Sequence, residues 1–273
     1  MSKIEWTEET WNPIVGCSLA SPGCSRCYAM RQAHRLGANP LTPHYSGLTT
    51  IANGRPVWTG RLARASDTTI EKPLTVKRPT VWFVNSMGDL FHEDTPDDWL
   101  DRVWNVMTGA HWHTFQVLTK RAQRMQHWCW WLAMSPAVSR AVPDHVWLGV
   151  SVEDQRRADE RLHELAGCSA RVRFVSAEPL LGPLDLSPWL GRDRINWLIV
   201  GAESGPGARP MREEWVRDLR DQCVAADVPF FYKQRAERGR KVSMPTLDGR
   251  SWGQQPDRLT RRGAGPSSSP DCG

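Results

Sequence analysis

The stretch VWLGVSVEDQRRADERLHELAG (residues 146–167) changes its hydrophobic rhythm in the middle, and that change decides the fold class. Residues 146–152 form a short run rich in β-branched and aromatic residues, as expected of a strand covered on both faces. From Gln155 the pattern turns polar, with Leu162 and Leu165 on one helical stripe and Gly167 as a stop signal. The unit recurs. NPIVGC (12–17), VWFVNSMGD (81–89), TFQVLTK (114–120), VRFVSAEP (172–179), NWLIVGAESG (196–205) and PFFYKQ (229–234) all read as strands that end on polar or charged groups. Helical patterns separate several of them, as in DTPDDWLDRVWNVM and MREEWVRDLRDQCVAA. Strand–helix alternation of this kind predicts an α/β fold with parallel strands. Seven or eight units predict a TIM-type (βα) barrel, complete or partial, as a single domain over residues 1–252.

The bulk properties narrow the class. The chain has 273 residues, 15 of them Trp, and no apolar run long enough to span a membrane. The Trp residues are expected chiefly in the core. The N-terminal MSKIEWTEETWNP lacks a hydrophobic signal core, which predicts a cytoplasmic protein with reduced thiols. From Arg235 onward there are eight basic residues against four acidic ones, so the net charge of +5 gathers toward the end and the preceding body is nearly neutral. That supports nucleic-acid binding only through non-specific phosphate contacts of the tail. Residues 253–273, rich in Pro, Gly and Ser, read as a disordered basic tail, with Cys272 incidental. The irregular stretch 38–80 is expected to cover the barrel mouth.

Three of the seven cysteines fall within eleven residues, GCSLASPGCSRCYA (16–29), spaced C-x6-C-x2-C. A C-x-x-C turn brings Cys24 and Cys27 within reach of one centre, and Pro22-Gly23 lets Cys17 fold back to join them. In barrel enzymes the chemistry sits at the C-terminal ends of strands, where Cys17 falls. Three thiolates on a [4Fe-4S] cluster leave one iron open. The alternatives are a zinc site of the three cysteines with His34, a redox dithiol, or simple packing. Cys168 and Cys223 read as inert core residues. Other strand ends carry Asp89, Lys120 with Arg121, Glu153 with Asp154, Glu178, Glu203 and Lys233. On a barrel these converge on one mouth. Asp89, Lys120, Glu178, Glu203 and Lys233 are then catalytic candidates. Tyr28, Asp89, Glu153, Gly201 and Glu203 are candidates for holding a cofactor. GAESG (201–205) is a small-residue turn that lets a ligand approach the backbone. His92 is a loop histidine or an acid/base group.

The blocks IEWTEETWNPIVGC, SPGCSRCYA, FVNSMGDLFHE, FQVLTKR, VWLGVSVE, FVSAEPLLGP, IVGAESG and LDGRSW closely resemble the three-Cys-motif phage protein family of unassigned function. That family is viewed as similar to radical S-adenosylmethionine (SAM) barrels and is proposed to act with a three-Cys-motif partner protein. The resemblance implies a phage-associated [4Fe-4S] enzyme with its cluster on Cys17, Cys24 and Cys27, SAM on the open iron, and an unassigned substrate. Radical SAM enzymes usually space their cysteines C-x3-C-x2-C and carry a Gly-Gly-Glu run after the second strand. Here the first gap is six and SMGDL stands in the second place, with Asp89 as the substitute. The rival function is a zinc-stabilised, non-catalytic protein that binds a partner protein or nucleic acid through its tail and Trp-rich surface.

Overall fold

A computed structural model describes residues 4–134, 141–205, 207–237 and 240–257. The main sheet has eight strands in sequence order from edge to edge: β1 (Glu9–Trp11), β2 (Val81–Val84), β3 (Thr114–Thr119), β4 (Val146–Ser151), β5 (Arg173–Ala177), β6 (Trp197–Gly201), β7 (Phe230–Glu237) and β8 (Arg240–Ser243). The first seven run parallel, and β8 returns antiparallel along β7. Helices α2 (Asp97–Gly109), α3 (Ala122–Met134), α4 (Gln155–Ala166) and α5 (Glu213–Ala225) follow β2, β3, β4 and β6. The expected α/β class holds. The barrel is partial, a curled half-barrel, because the strand order never brings β8 back to pair with β1.

The gap between the two edges is filled by side chains. Lys241 of β8 lies 2.7 Å from Glu5, just ahead of β1. Trp6 enters the lumen against Phe83, Phe174 and Trp197, and Gln116 Nε2 donates to its carbonyl.

The strand runs look uniformly apolar, yet side chains alternate across them. One face packs beneath the helices in a large cluster that includes Trp82, Val117, Val150 and Val200. The concave face carries Phe83, Trp147, Phe174, Trp197 and Phe231 as a floor. Further along the same face come Ser151, Ser176, Glu178 and Lys233, so the concave side turns polar toward the strand ends. Gly149 makes room in this floor, since a Cβ there would lie 2.5–2.6 Å from the Phe174 ring. Nine Trp residues are buried, and Trp130 and Trp131 are exposed.

The expected first strand is displaced. The sheet takes Glu9–Trp11, ahead of NPIVGC, while Ile14–Val15 pairs antiparallel with Ala63–Arg64. Pro13 has no N–H to continue a ladder. Asn12 Oδ1 instead accepts from Met87 N (2.9 Å) and Ser86 Oγ (3.1 Å), tying the turn to the loop after β2.

Between that turn and β2 the chain builds a small lobe. Helix α1 (Tyr28–Gly37) packs on the hairpin Thr49–Ala52/Arg55–Trp58 around Ala29, Met30, Ala33, Leu48 and Trp58. At the other end, Gln254 N donates to Phe230 O and the Trp197 indole donates to Gln254 O, so the chain follows the sheet to that point. Residues 258–273 of the expected tail, with Cys272, lie outside the described residues.

Two expectations follow. Gly149→Ala should destabilise by about 1–3 kcal/mol in urea denaturation, the usual cost of overpacking, and Phe174→Leu in the same chain should recover part of it. Buried His113 accepts from Thr80 N at Nδ1 (3.1 Å) and donates from Nε2 to Pro73 O (2.9 Å). His145 Nε2 donates to Met107 O. Burial pushes both pKa values below the ordinary histidine range. Below about pH 6.5 the unfolded chain therefore binds protons that the folded chain refuses. Stability is full above that pH and falls as pH drops toward the folded-state values. Thermal melts at pH 7.5 and 5.5 should show it, with a smaller difference in His113→Gln.

Candidate functional site

The strand ends, the cysteine loop and the lobe border a half-open cavity of about 430 Å³, within the ordinary range for small-molecule sites. Cys17, Cys24 and Cys27 all line it, with Tyr28, Asp89, Lys120, Glu178, Glu203 and Lys233. Two sequence candidates stand behind its wall: Glu153 and Gly201.

The loop that carries the cysteines is clasped from three directions. Arg121, just past β3, donates from Nη2 to Ser18 Oγ (2.7 Å) and Ser18 O (3.2 Å), and from Nη1 to Cys17 Sγ (3.4 Å). Asp89 fixes that guanidinium: it accepts from Arg121 Nη1 (3.2 Å), Lys120 N (3.0 Å), Thr119 Oγ1 (2.6 Å) and Phe91 N (3.1 Å). Those four bonds fill a carboxylate's acceptor positions. Asp89 therefore has none left for the amine of a bound cofactor, the role the sequence suggested for it.

The second clasp is Glu153, fully buried after β4. It accepts from Gly23 N (3.2 Å) and Arg161 Nη1 (3.1 Å), with Lys120 Nζ 3.9 Å away. Burial works to raise its pKa, but Lys120, Ser21, Arg161 and the Gly23 N–H outweigh it and hold the carboxyl below its usual value. A Cβ at Gly23 would press on this carboxylate at 3.1 Å, and the carboxylate would have to shift by a few tenths of an ångström to accept it. The third clasp is Glu203. Arg209 donates to it from N (2.9 Å), Nε (3.1 Å) and Nη2 (2.5 Å), and Nη2 also reaches Pro22 O (3.0 Å).

The thiols differ in environment. Burial, reinforced by the Asp89 charge, pushes Cys17 up to about 12. Burial also raises Cys27, against the N–H groups of Ala29 and Met30 at the start of α1. Such N–H groups, and Arg121 beside Cys17, favour a thiolate or a metal-bound sulfur. Among the described residues, no three His, Cys, Asp or Glu side chains converge closely enough to hold a single metal ion. His34, the fourth ligand of the zinc alternative, lies against the hairpin with Nδ1 3.2 Å from Thr49 Oγ1 and does not line the cavity. A cluster asks for a different geometry, since each of its thiolates binds a different iron. Cys129, Cys168 and Cys223 lie in the core.

Glu178 stands apart from the clasps. Its Oε2 accepts from Ser176 Oγ (3.1 Å) and Lys233 Nζ (3.2 Å), while its buried Oε1 has no partner. A Cβ at Gly201 would come within 2.6 Å of that Oε1, so glycine there leaves the carboxylate its room. Tyr28, 45 % exposed, donates to Ser86 O at the rim. Buried His92 accepts from Asp94 N at Nδ1, leaving Nε2–H to donate to Ser18 Oγ (2.8 Å). It braces the loop and does not draw a proton from the serine. The sequence named Arg121 only as a neighbour of Lys120 and did not single out Arg161, within α4, or Arg209, because the position of an Arg in the chain does not say which loop its guanidinium will reach.

Fold and site define a half-barrel α/β protein whose strand ends hold three thiols around one cavity. The chain belongs to the family described as "Protein of unknown function (DUF5131)", whose model matches residues 1–256. No curated protein and no solved structure matches it.

Asp89 and Arg121 are both buried, so removing one strands the other's charge. Asp89→Ala should cost about 3–5 kcal/mol in urea denaturation, and Asp89→Asn, which keeps part of the hydrogen bonding, less.

Proposed function

We propose that the protein is an iron–sulfur enzyme of the radical SAM type, phage-associated and cytoplasmic, with a [4Fe-4S] cluster on Cys17, Cys24 and Cys27. The observation that carries this is the placement of three thiols on a single half-open cavity together with Glu178, one of whose carboxylate oxygens has no partner. When bound, a cluster with one open iron supplies the electron that cleaves SAM and opens radical chemistry on a substrate.

The chain's own residues have separable tasks. Arg121 and the first N–H groups of α1 favour negative charge on sulfur. Asp89, Glu153 and Glu203 hold the cysteine loop through Arg121, Gly23 and Arg209. Glu178 Oε1 is the acceptor that fits an ammonium or hydroxyl group of a bound molecule, while Lys233 and Ser176 fix its other oxygen. Trp6 and Phe83 keep the inner end of the cavity dry. The helix inventory fits this setting, since no helix among the described residues is long and apolar enough to cross a membrane.

Anaerobic reconstitution with iron and sulfide tests the proposal. The expected product is brown and holds about four irons per chain, and it releases 5′-deoxyadenosine from SAM under reduction. Cys17→Ser, Cys24→Ser and Cys27→Ser should each lose the cluster, and Cys129→Ser should keep it. Glu178→Gln should keep the iron but lower SAM cleavage about 10- to 100-fold, the worth of one charge-assisted hydrogen bond. A colourless chain holding one zinc would instead favour the binding-protein alternative.

A further inference from the structure

The near-neutral body of the chain conceals a segregation of charge. Residues 10–66 contain six arginines and neither Lys, Asp nor Glu, a net charge of +6. The whole chain carries +5, so all the other residues together carry −1. The segment comprises the cysteine loop, α1 and the hairpin, which pack as the small lobe beside the cavity. Its arginines have few carboxylates to answer. Arg64 pairs with Asp67, while Arg26, Arg31, Arg35, Arg55 and Arg61 have no ion pair among the described residues.

Placement adds to composition. On α1, Ala29, Met30 and Ala33 face the lobe's core, and Arg31 and Arg35, one turn apart, are exposed. The Arg31 guanidinium lies over Gly205 on the far rim, and Arg26 lines the cavity itself. Arg61 is exposed, with its guanidinium near Gly47 at the foot of the hairpin. The basic surface therefore reaches the mouth where Tyr28 exposes 45 % of its surface.

We infer that this lobe is a docking surface for the phosphate backbone of a single-stranded nucleic acid, laid beside the cavity mouth. Unpaired guanidinium groups with no lysine among them suit phosphate oxygens, which they can bind bidentately. An exposed aromatic ring at the edge of a basic surface is what single-strand binders use for stacking. A strand held there brings one nucleotide to a cavity of about 430 Å³ that Glu178 and Lys233 line. The inference names a partner for the site but stands on the lobe's charge alone and does not depend on a cluster being bound.

Fluorescence anisotropy tests it, with a labelled mixed-sequence single strand of about 20 nucleotides, long enough for one or two binding sites. The full chain should be measured as purified and after reconstitution, from about 50 to 200 mM salt. Both forms should bind, with affinity falling steeply as salt rises. Arg31→Ala/Arg35→Ala/Arg61→Ala should weaken binding at least about tenfold at the lowest salt and reduce the log–log salt slope by about 2. Its melting temperature should stay within about 2 °C of the parent, as befits unpaired surface residues. Replacing the same three by Lys should keep the slope. Arg258→Ala/Arg261→Ala/Arg262→Ala should retain most of the affinity.

Absence of binding by the parent chain overturns the inference. So does a loss larger in the 258/261/262 variant than in the 31/35/61 variant, or equally tight capture of polyglutamate of matched length. Binding without iron supports the docking surface even if the enzyme proposal fails. An iron-loaded protein that ignores the strand removes the docking surface and leaves the enzyme proposal standing.

Discussion

The site depends on the buried ion pair between Asp89 and Arg121. The two side chains sit at the ends of neighbouring strands, 5 % and 7 % exposed, where an unpaired charge would be costly. Asp89 spends all its acceptor capacity on the loops after β2 and β3. Arg121 spends its donors on Asp89, Glu93, Cys17 Sγ, Ser18 Oγ and Ser18 O. The pair converts a strand end into a fixed platform for a loop that has no regular structure beyond one short turn of its own. The Glu153 and Glu203 clasps repeat the device from β4 and β6. A loop held from three strand ends has few ways to move, so its three thiols are fixed in place along the cavity.

This division of labour changes the meaning of the charged rim. A ring of carboxylates and cations at strand ends invites the reading that all of them address a ligand. Most of them address the protein. Asp89, Glu153 and Glu203 hold the cysteine loop, whereas Glu178 lines the cavity with one oxygen, the buried Oε1, left without a partner. An open sheet makes this possible. Its lumen is sealed at the floor by Trp6 and the aromatic residues of the concave face, and its edges are bridged by Glu5 and Lys241. The polar upper layer can then border a cavity without a closed ring of strands.

The same chain separates its charges by region. The sheet and helices carry near-balanced, mutually paired charges, whereas the lobe that includes the cysteines carries arginine alone. Averaging over the whole body before the tail hides this, because the +6 of the lobe is offset by acids elsewhere.

The α/β class, the parallel strands from VWFVNSMGD to PFFYKQ, several of the helices between them and the three-cysteine loop are legible along the chain. Those features are local: hydrophobic period, cap and stop residues, and ligand spacing are written within one turn or one strand. The sequence by itself misplaced the first strand, because NPIVGC has the right composition and only pairing with β2 reveals that Glu9–Trp11 wins. Tertiary structure alone decided that the sheet stays open, that Asp89 is saturated and Glu178 is not, and that Glu153 supports the loop from behind the wall. Each of these depends on which partners lie within about 3 Å across 30 to 187 residues of chain, where hydrogen bonds form or fail. No residue type announces its own partner. The fold supplies it.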